Sequence, residues 1–150
     1  MAVTTNEKSI LSDIQNRRFS PVYLLTSEDG YYLDLVSGYF EEHVVDIVSR
    51  DFDQTIVYGM DIDMPTVISY ARQYPIMSPV KLVMVKEAQD IKTTSWNQLN
   101  EYLENPQPTT VLVFVYRNKL LEKTSKIHQS INAKGVVYEK RKLFNNQVPQ

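Results

Sequence analysis

The chain has 150 residues, 43% of them apolar and 23% charged, with no cysteine and a formal net charge of −2. That length suits one domain burying about 70% of its unfolded surface. The missing thiols exclude disulfides, thiolate zinc sites and cysteine nucleophiles, and they fit a cytoplasmic setting without requiring one. No apolar run approaches the roughly 18 residues of a membrane-spanning helix, and no membrane partner is expected. Charge is unevenly spread: residues 1–116 hold 8 basic and 16 acidic side chains, residues 117–150 hold 8 and 2. A basic end can serve nucleic acid or an acidic partner, or can be a solvated helix and tail. Charge alone favours the second.

The elements are predicted in alternation. Ser9 to Arg18 reads as a short helix with Ile10, Leu11 and Ile14 on one side. Val22 to Leu25 reads as a strand. Tyr31 to Val48 reads as a helix, because Leu33, Val36, Phe40, Val44 and Ile47 step by three and four into one buried stripe. Phe52 to Tyr58 is a second predicted strand, ended by Gly59. Asp63 is placed to cap a helix with Pro65 in its first turn, and that helix ends before Pro75. Val80 to Val85 is a third strand. Thr93 or Thr94 caps a helix through Trp96, Leu99, Tyr102 and Leu103, stopped at Asn105-Pro106. Thr110 to Tyr116, apolar on both faces, is predicted as a central strand covered on both sides. Leu120 to Ala133 reads as a helix closed by Lys134-Gly135, and Val136 to Glu139 as a fifth strand. The alternation predicts an α/β fold: a mainly parallel five-stranded sheet with helices on both faces.

The first strand and its turn, Thr26, Ser27, Glu28, Asp29, Gly30, Tyr31, Tyr32, stand where a nucleotide-binding protein carries its phosphate loop. That loop needs G-x-x-x-x-G-K-[ST], in which backbone amides cradle phosphates and the lysine neutralises them. Here a tyrosine replaces the lysine, and two carboxylates crowd the turn. An ATPase of this architecture also needs acidic residues ending an apolar strand to hold Mg²⁺. The third strand ends in Lys86 and Glu87 instead, and the fourth is followed by Arg117 and Asn118. The scaffold of a nucleotide-binding domain is present without its ion-handling residues. No catalytic residue, metal ligand or cofactor is assigned. His43 and His128 fall in predicted helices without a partner at metal-ligand spacing. The acidic pairs Glu28-Asp29, Glu41-Glu42 and Asp61/Asp63 lie near turns and helix ends, where acids cap amides.

Between the third helix and third strand, "QYPIMSPV" sets Ile76 and Met77 in a short loop between Pro75 and Pro79. Proline at each end stiffens such a loop. On the residues alone two readings stand: the apolar pair faces outward, or it tucks under the sheet edge as apolar loop residues commonly do.

The segments "VYLLTSEDGYYLDLV", "DFDQTIVYGMDID", "ARQYPIMSPVKLVMVKEAQDI", "YLENPQPTTVLVFV" and "NKLL", in this order, closely resemble the delta subunit of bacterial DNA polymerase III, over nearly the whole chain from about Phe19. The resemblance implies an AAA+-like, P-loop-NTPase-like core with degenerate nucleotide motifs. It implies a non-catalytic subunit of a polymerase complex, acting in the replisome of the bacterial cytoplasm. It also implies that the subunit works as part of a clamp loader, gripping the ring-shaped sliding clamp and opening it, without hydrolysing ATP itself. The family's clamp-binding element maps to Tyr74, Pro75, Ile76, Met77 and Ser78, with Ile76 and Met77 at the two bulky apolar positions. A methionine stands where the family often has an aromatic. The resemblance favours the outward reading for at least one of the pair. It further implies other clamp-loader subunits as partners, and DNA in the full complex. Lys119, Lys123, Lys126, Lys140, Arg141 and Lys142 are candidate contacts to DNA or an acidic clamp surface. Residues 1–140 are expected to form the N-terminal domain. Residues 141–150 are expected to begin a linker toward the lid and collar domains that family members carry. The alternatives are a divergent nucleotide-binding enzyme and a DNA-binding domain acting through the basic end.

Overall fold

A computed structural model describes residues 3–4, 6–117 and 125–141. The five expected strands all form, and Val3–Thr4 (β1) adds a two-residue strand not foreseen from the sequence. The others are Val22–Ser27 (β2), Gln54–Tyr58 (β3), Lys81–Lys86 (β4), Thr110–Arg117 (β5) and Val136–Lys140 (β6). They make one sheet in the order β1-β6-β2-β5-β4-β3, and every pairing is parallel. β5 lies between β2 and β4 and is buried along all but its last residue, as its two apolar faces require.

Helices cover both faces. Glu7–Gln15 (α1) and Gly30–His43 (α2) pack on one side through Ile10, Ile14, Leu33, Val36 and Phe40 against Tyr23, Leu25, Val113 and Tyr138. Met64–Arg72 (α4), Thr93–Trp96 (α5), Leu99–Glu104 (α6) and Lys126–Lys134 (α7) pack on the other. There Trp96 meets the Phe114 ring at 4.9 Å. Asp63 caps α4 as expected, its carboxylate accepting from the Thr66 amide at 3.0 Å, with Pro65 in the first turn.

Four expectations need correcting. The predicted helix to Val48 stops at His43. Val44 is buried, but Ile47 lies in a 3-10 turn, 76% exposed, rather than in the buried stripe. Four carbonyls at this helix end are taken by arginines from elsewhere. Arg17 donates to His43 and Val44 oxygens at 2.8 Å, while Arg50 donates to Glu42 and Val45 at 2.8 and 3.1 Å. Those bonds satisfy the groups a helix end leaves open and make further turns unnecessary. Second, Phe52 is not in a strand. It belongs to the short helix Arg50–Asp53 (α3) and is exposed. Third, the helix expected through Leu103 is two short helices. Thr93 starts the first with Lys92 at the cap position and no side-chain cap, while the Ser95 hydroxyl accepts from the Met64 amide at 2.9 Å. Fourth, within the described residues the helix expected from Leu120 begins only at Lys126, because Ser125 is extended and caps it by accepting from the His128 amide at 3.2 Å. The part up to residue 124 lies outside the described residues. So does the tail from Lys142.

Candidate functional site

The turn after β2 keeps the strand–turn–helix shape. Thr26 and Ser27 are fully buried at the end of β2, Gly30 begins α2, Tyr31 is exposed and Tyr32 half-buried. The Ser27 hydroxyl accepts from the Asp29 amide at 2.8 Å and can donate to the Lys140 or Asp29 carbonyl, each 2.9 Å away. The Asp29 carboxylate caps α2 by accepting from the Tyr31 amide at 2.9 Å. A helix start normally attracts phosphate through such amides. Here a residue of the chain takes part of that role.

Arg117, the last residue of β5, spans the same edge of the sheet. Its guanidinium pairs with Asp34 on α2 and with Glu87 beyond β4, the latter at 3.1 Å. It lies close enough to Gly30 that a side chain there would meet it at 3.2 Å. Asp34 first, then Glu87, raise the Arg117 pKa. Gln89 accepts from the Arg117 amide at 2.9 Å and donates to Glu87 at 2.7 Å. Lys86 pairs with Glu41 at 3.1 Å. Asp34 and Gln89 carry no motif signal, because their link to Arg117 exists only once β4 and β5 are side by side.

At the opposite edge, Tyr74, Pro75, Ile76, Met77 and Ser78 form the connection from α4 to β4. Tyr74, Ile76 and Met77 are 73%, 73% and 56% exposed, so the apolar pair faces solvent. Beneath them Asp53, the last residue of α3, is 0% exposed. Its Oδ1 accepts from the Ile76 amide at 2.6 Å. Its Oδ2 accepts from Met77 and Ser78 at 2.8 and 2.6 Å. Burial opposes ionisation of Asp53, but these three amides and the nearby Lys81 cation together hold its pKa below the ordinary carboxylate value. Lys81 is itself buried and donates to Gln73 at 3.2 Å. Nothing in the sequence singles out Asp53. The only available signal was an aspartate where a strand was expected to be running.

The basic candidates separate. Lys126 and Arg141 are exposed. Lys140 is engaged: its ammonium lies 3.1 Å from Glu7 Oε2 and 4.1 Å from the Tyr32 ring centroid. Lys119, Lys123 and Lys142 lie outside the described residues. His43 ends α2 in solvent, whereas His128 is buried on α7.

A family model described as DNA polymerase III, delta subunit, matches residues 39–140. The chain belongs to the DNA polymerase III delta subunit family. It is 23% identical over 131 residues to DNA polymerase III subunit delta of Bacillus subtilis (strain 168), covering 82% of this chain and 38% of that protein. The solved Bacillus subtilis DNA clamp loader delta protein superposes with a TM-score of 0.79 at 20% identity, over 92% of this chain and 43% of that one. A DNA polymerase III gamma subunit-related protein of Thermotoga maritima gives 0.62 at 20% identity, over 93% and 47%. These structures share the α/β fold described above. The chain spans about two fifths of the length of the delta relatives it matches.

Proposed function

We propose that this domain is the clamp-contacting part of a clamp-loader delta subunit. It docks on the ring-shaped sliding clamp through Ile76 and Met77 and helps to open the ring for loading onto DNA, acting with other clamp-loader subunits in the bacterial cytoplasm. The observation that carries the reading is the exposure of this apolar pair, at 73% and 56%, in a loop anchored from below. Each side chain seated in an apolar pocket yields about 1.5–3 kcal/mol before association costs. Methionine adapts to an irregular pocket through its unbranched thioether.

The domain acts without hydrolysing ATP. Support comes from the carboxyl edge of the sheet, where Asp29 caps α2 and Arg117 is paired with Asp34 and Glu87. Lys86, paired with Glu41, stands where a metal-binding carboxylate would be needed. Of the six basic candidates, Lys126 and Arg141 are exposed and available for DNA or an acidic partner.

The decisive experiment is calorimetry with the sliding clamp of the same organism. Ile76→Ser/Met77→Ser should leave folding stability within about 0.5 kcal/mol, since both side chains are already in water. It should weaken clamp binding by about a hundredfold or more. Wild-type affinity in the double variant would overturn the reading.

A further inference from the structure

The loop that presents Ile76 and Met77 is held by an arrangement more specific than an exposed turn requires. Asp53 has no exposure, and both of its oxygens are committed to amides of three consecutive residues at 2.6–2.8 Å. Successive amides converge on one anion only when the backbone curls around it, as in the concave backbone sites that bind anions. The contact therefore fixes the curvature of residues 76–78 as well as their position. With the amides turned inward, the Ile76 and Met77 side chains are left in solvent. The anion is itself rigidly mounted. Asp53 ends α3 and directly precedes β3, whose Gln54 is in register with Leu82 of β4. Pro75 and Pro79 bracket the same residues and limit the alternatives open to the backbone.

We infer that Asp53 is a positioning residue for clamp binding: its carboxylate holds the Ile76–Met77 loop in its docking shape before the clamp arrives. This rests on the clamp-docking reading above. A loop without the anchor samples many shapes, and its apparent affinity falls by the fraction that remains competent. Asparagine is nearly the same size, but it presents one carbonyl oxygen and an NH₂ that cannot accept from an amide.

The test compares the wild-type chain, Asp53→Asn and Ile76→Ser/Met77→Ser in calorimetry against the sliding clamp, with the folded fraction of each taken from its melting curve. Amide hydrogen exchange is measured in parallel. The folded fraction of Asp53→Asn should bind about ten- to a hundredfold more weakly than wild type. Its amides at residues 76–78 should exchange faster by a similar factor, while those of β4 and β5 keep their protection. A purely structural role would lower the melting temperature and leave the affinity of the folded fraction unchanged. That result overturns the inference. If the variant does not fold, the wild-type exchange decides: amides at 76–78 exchanging as fast as in an unstructured peptide overturn the inference, and strong protection upholds the anchor. Failure of the docking reading is distinguishable. It appears as a wild-type chain that does not bind, or a double serine variant that binds normally, and the inference falls with it. Normal binding by a folded Asp53→Asn chain alone removes only the role of Asp53.

Discussion

At Gly135 the backbone leaves no room for a side chain: a Cβ there would lie 2.0 Å from the carbonyl oxygen of Val22. Its φ of −148° lies outside the left-handed region, so contact with β2 is what demands glycine. Gly135→Ala should therefore destabilise the fold by about 1–3 kcal/mol in urea denaturation. A change below about 0.5 kcal/mol would mean that β2 gives way easily. Gly59 is similar, with a Cβ falling 2.2 Å from the Glu87 carbonyl. The sequence allowed Gly135 to be read as a helix stop, which it is, but the reason lies across the sheet, where no local pattern reaches. Asp53 was invisible for the same cause, since the amides it binds are 23 to 25 residues downstream. For Ile76 and Met77 the prolines predicted a stiff loop, yet the direction of the side chains depended on where those amides pointed.

Among elements, α1 is tied to β6 by one carboxylate. Glu7 Oε2 accepts from the Tyr138 hydroxyl at 2.6 Å and from Lys140 at 3.1 Å. Burial works against the Glu7 charge, but the Tyr138 and Lys140 bonds together hold its pKa below the ordinary value of 4.5. A depressed carboxyl pKa adds stability that is complete above the unfolded value and is lost as pH falls through the folded one. Glu7→Gln should thus cost about 1–2 kcal/mol at pH 7, and the gap should narrow at an acid pH, as pH falls through the depressed Glu7 value. Urea titrations at the neutral and the acid pH check this; an equal gap at both would show that the charge plays no part. The same pairing draws Lys140 inward, away from the exposed role its sequence neighbourhood suggested. Helix and strand types were legible because apolar spacing reports them directly. The end of α2 was not, because its spacing continued through Val44 and Ile47 while Arg17 and Arg50 closed its carbonyls from outside.

For the molecule as a whole, alternating elements implied a parallel sheet, but alternation does not dictate which strands become neighbours. The order that forms places β5 beside β2 and so brings Arg117 across to Asp34 and Glu87. With that edge internally paired, ATP and Mg²⁺ should not raise the melting temperature, as a ligand of the native state must. A rise of about 2 °C or more at millimolar ATP would show that this edge still holds nucleotide and would favour the divergent nucleotide-binding alternative. The uniform direction of the strands also separates two surfaces. The Asp53 anchor and the Ile76–Met77 loop stand before β3 and β4, at their amino ends, whereas the turn at Ser27–Tyr32 follows β2 at its carboxyl end. Six residues of strand put about 20 Å of buried β-structure between them. A neighbour resting on one rim would leave the other unobstructed, so the sheet has room for two companions at opposite ends of its strands.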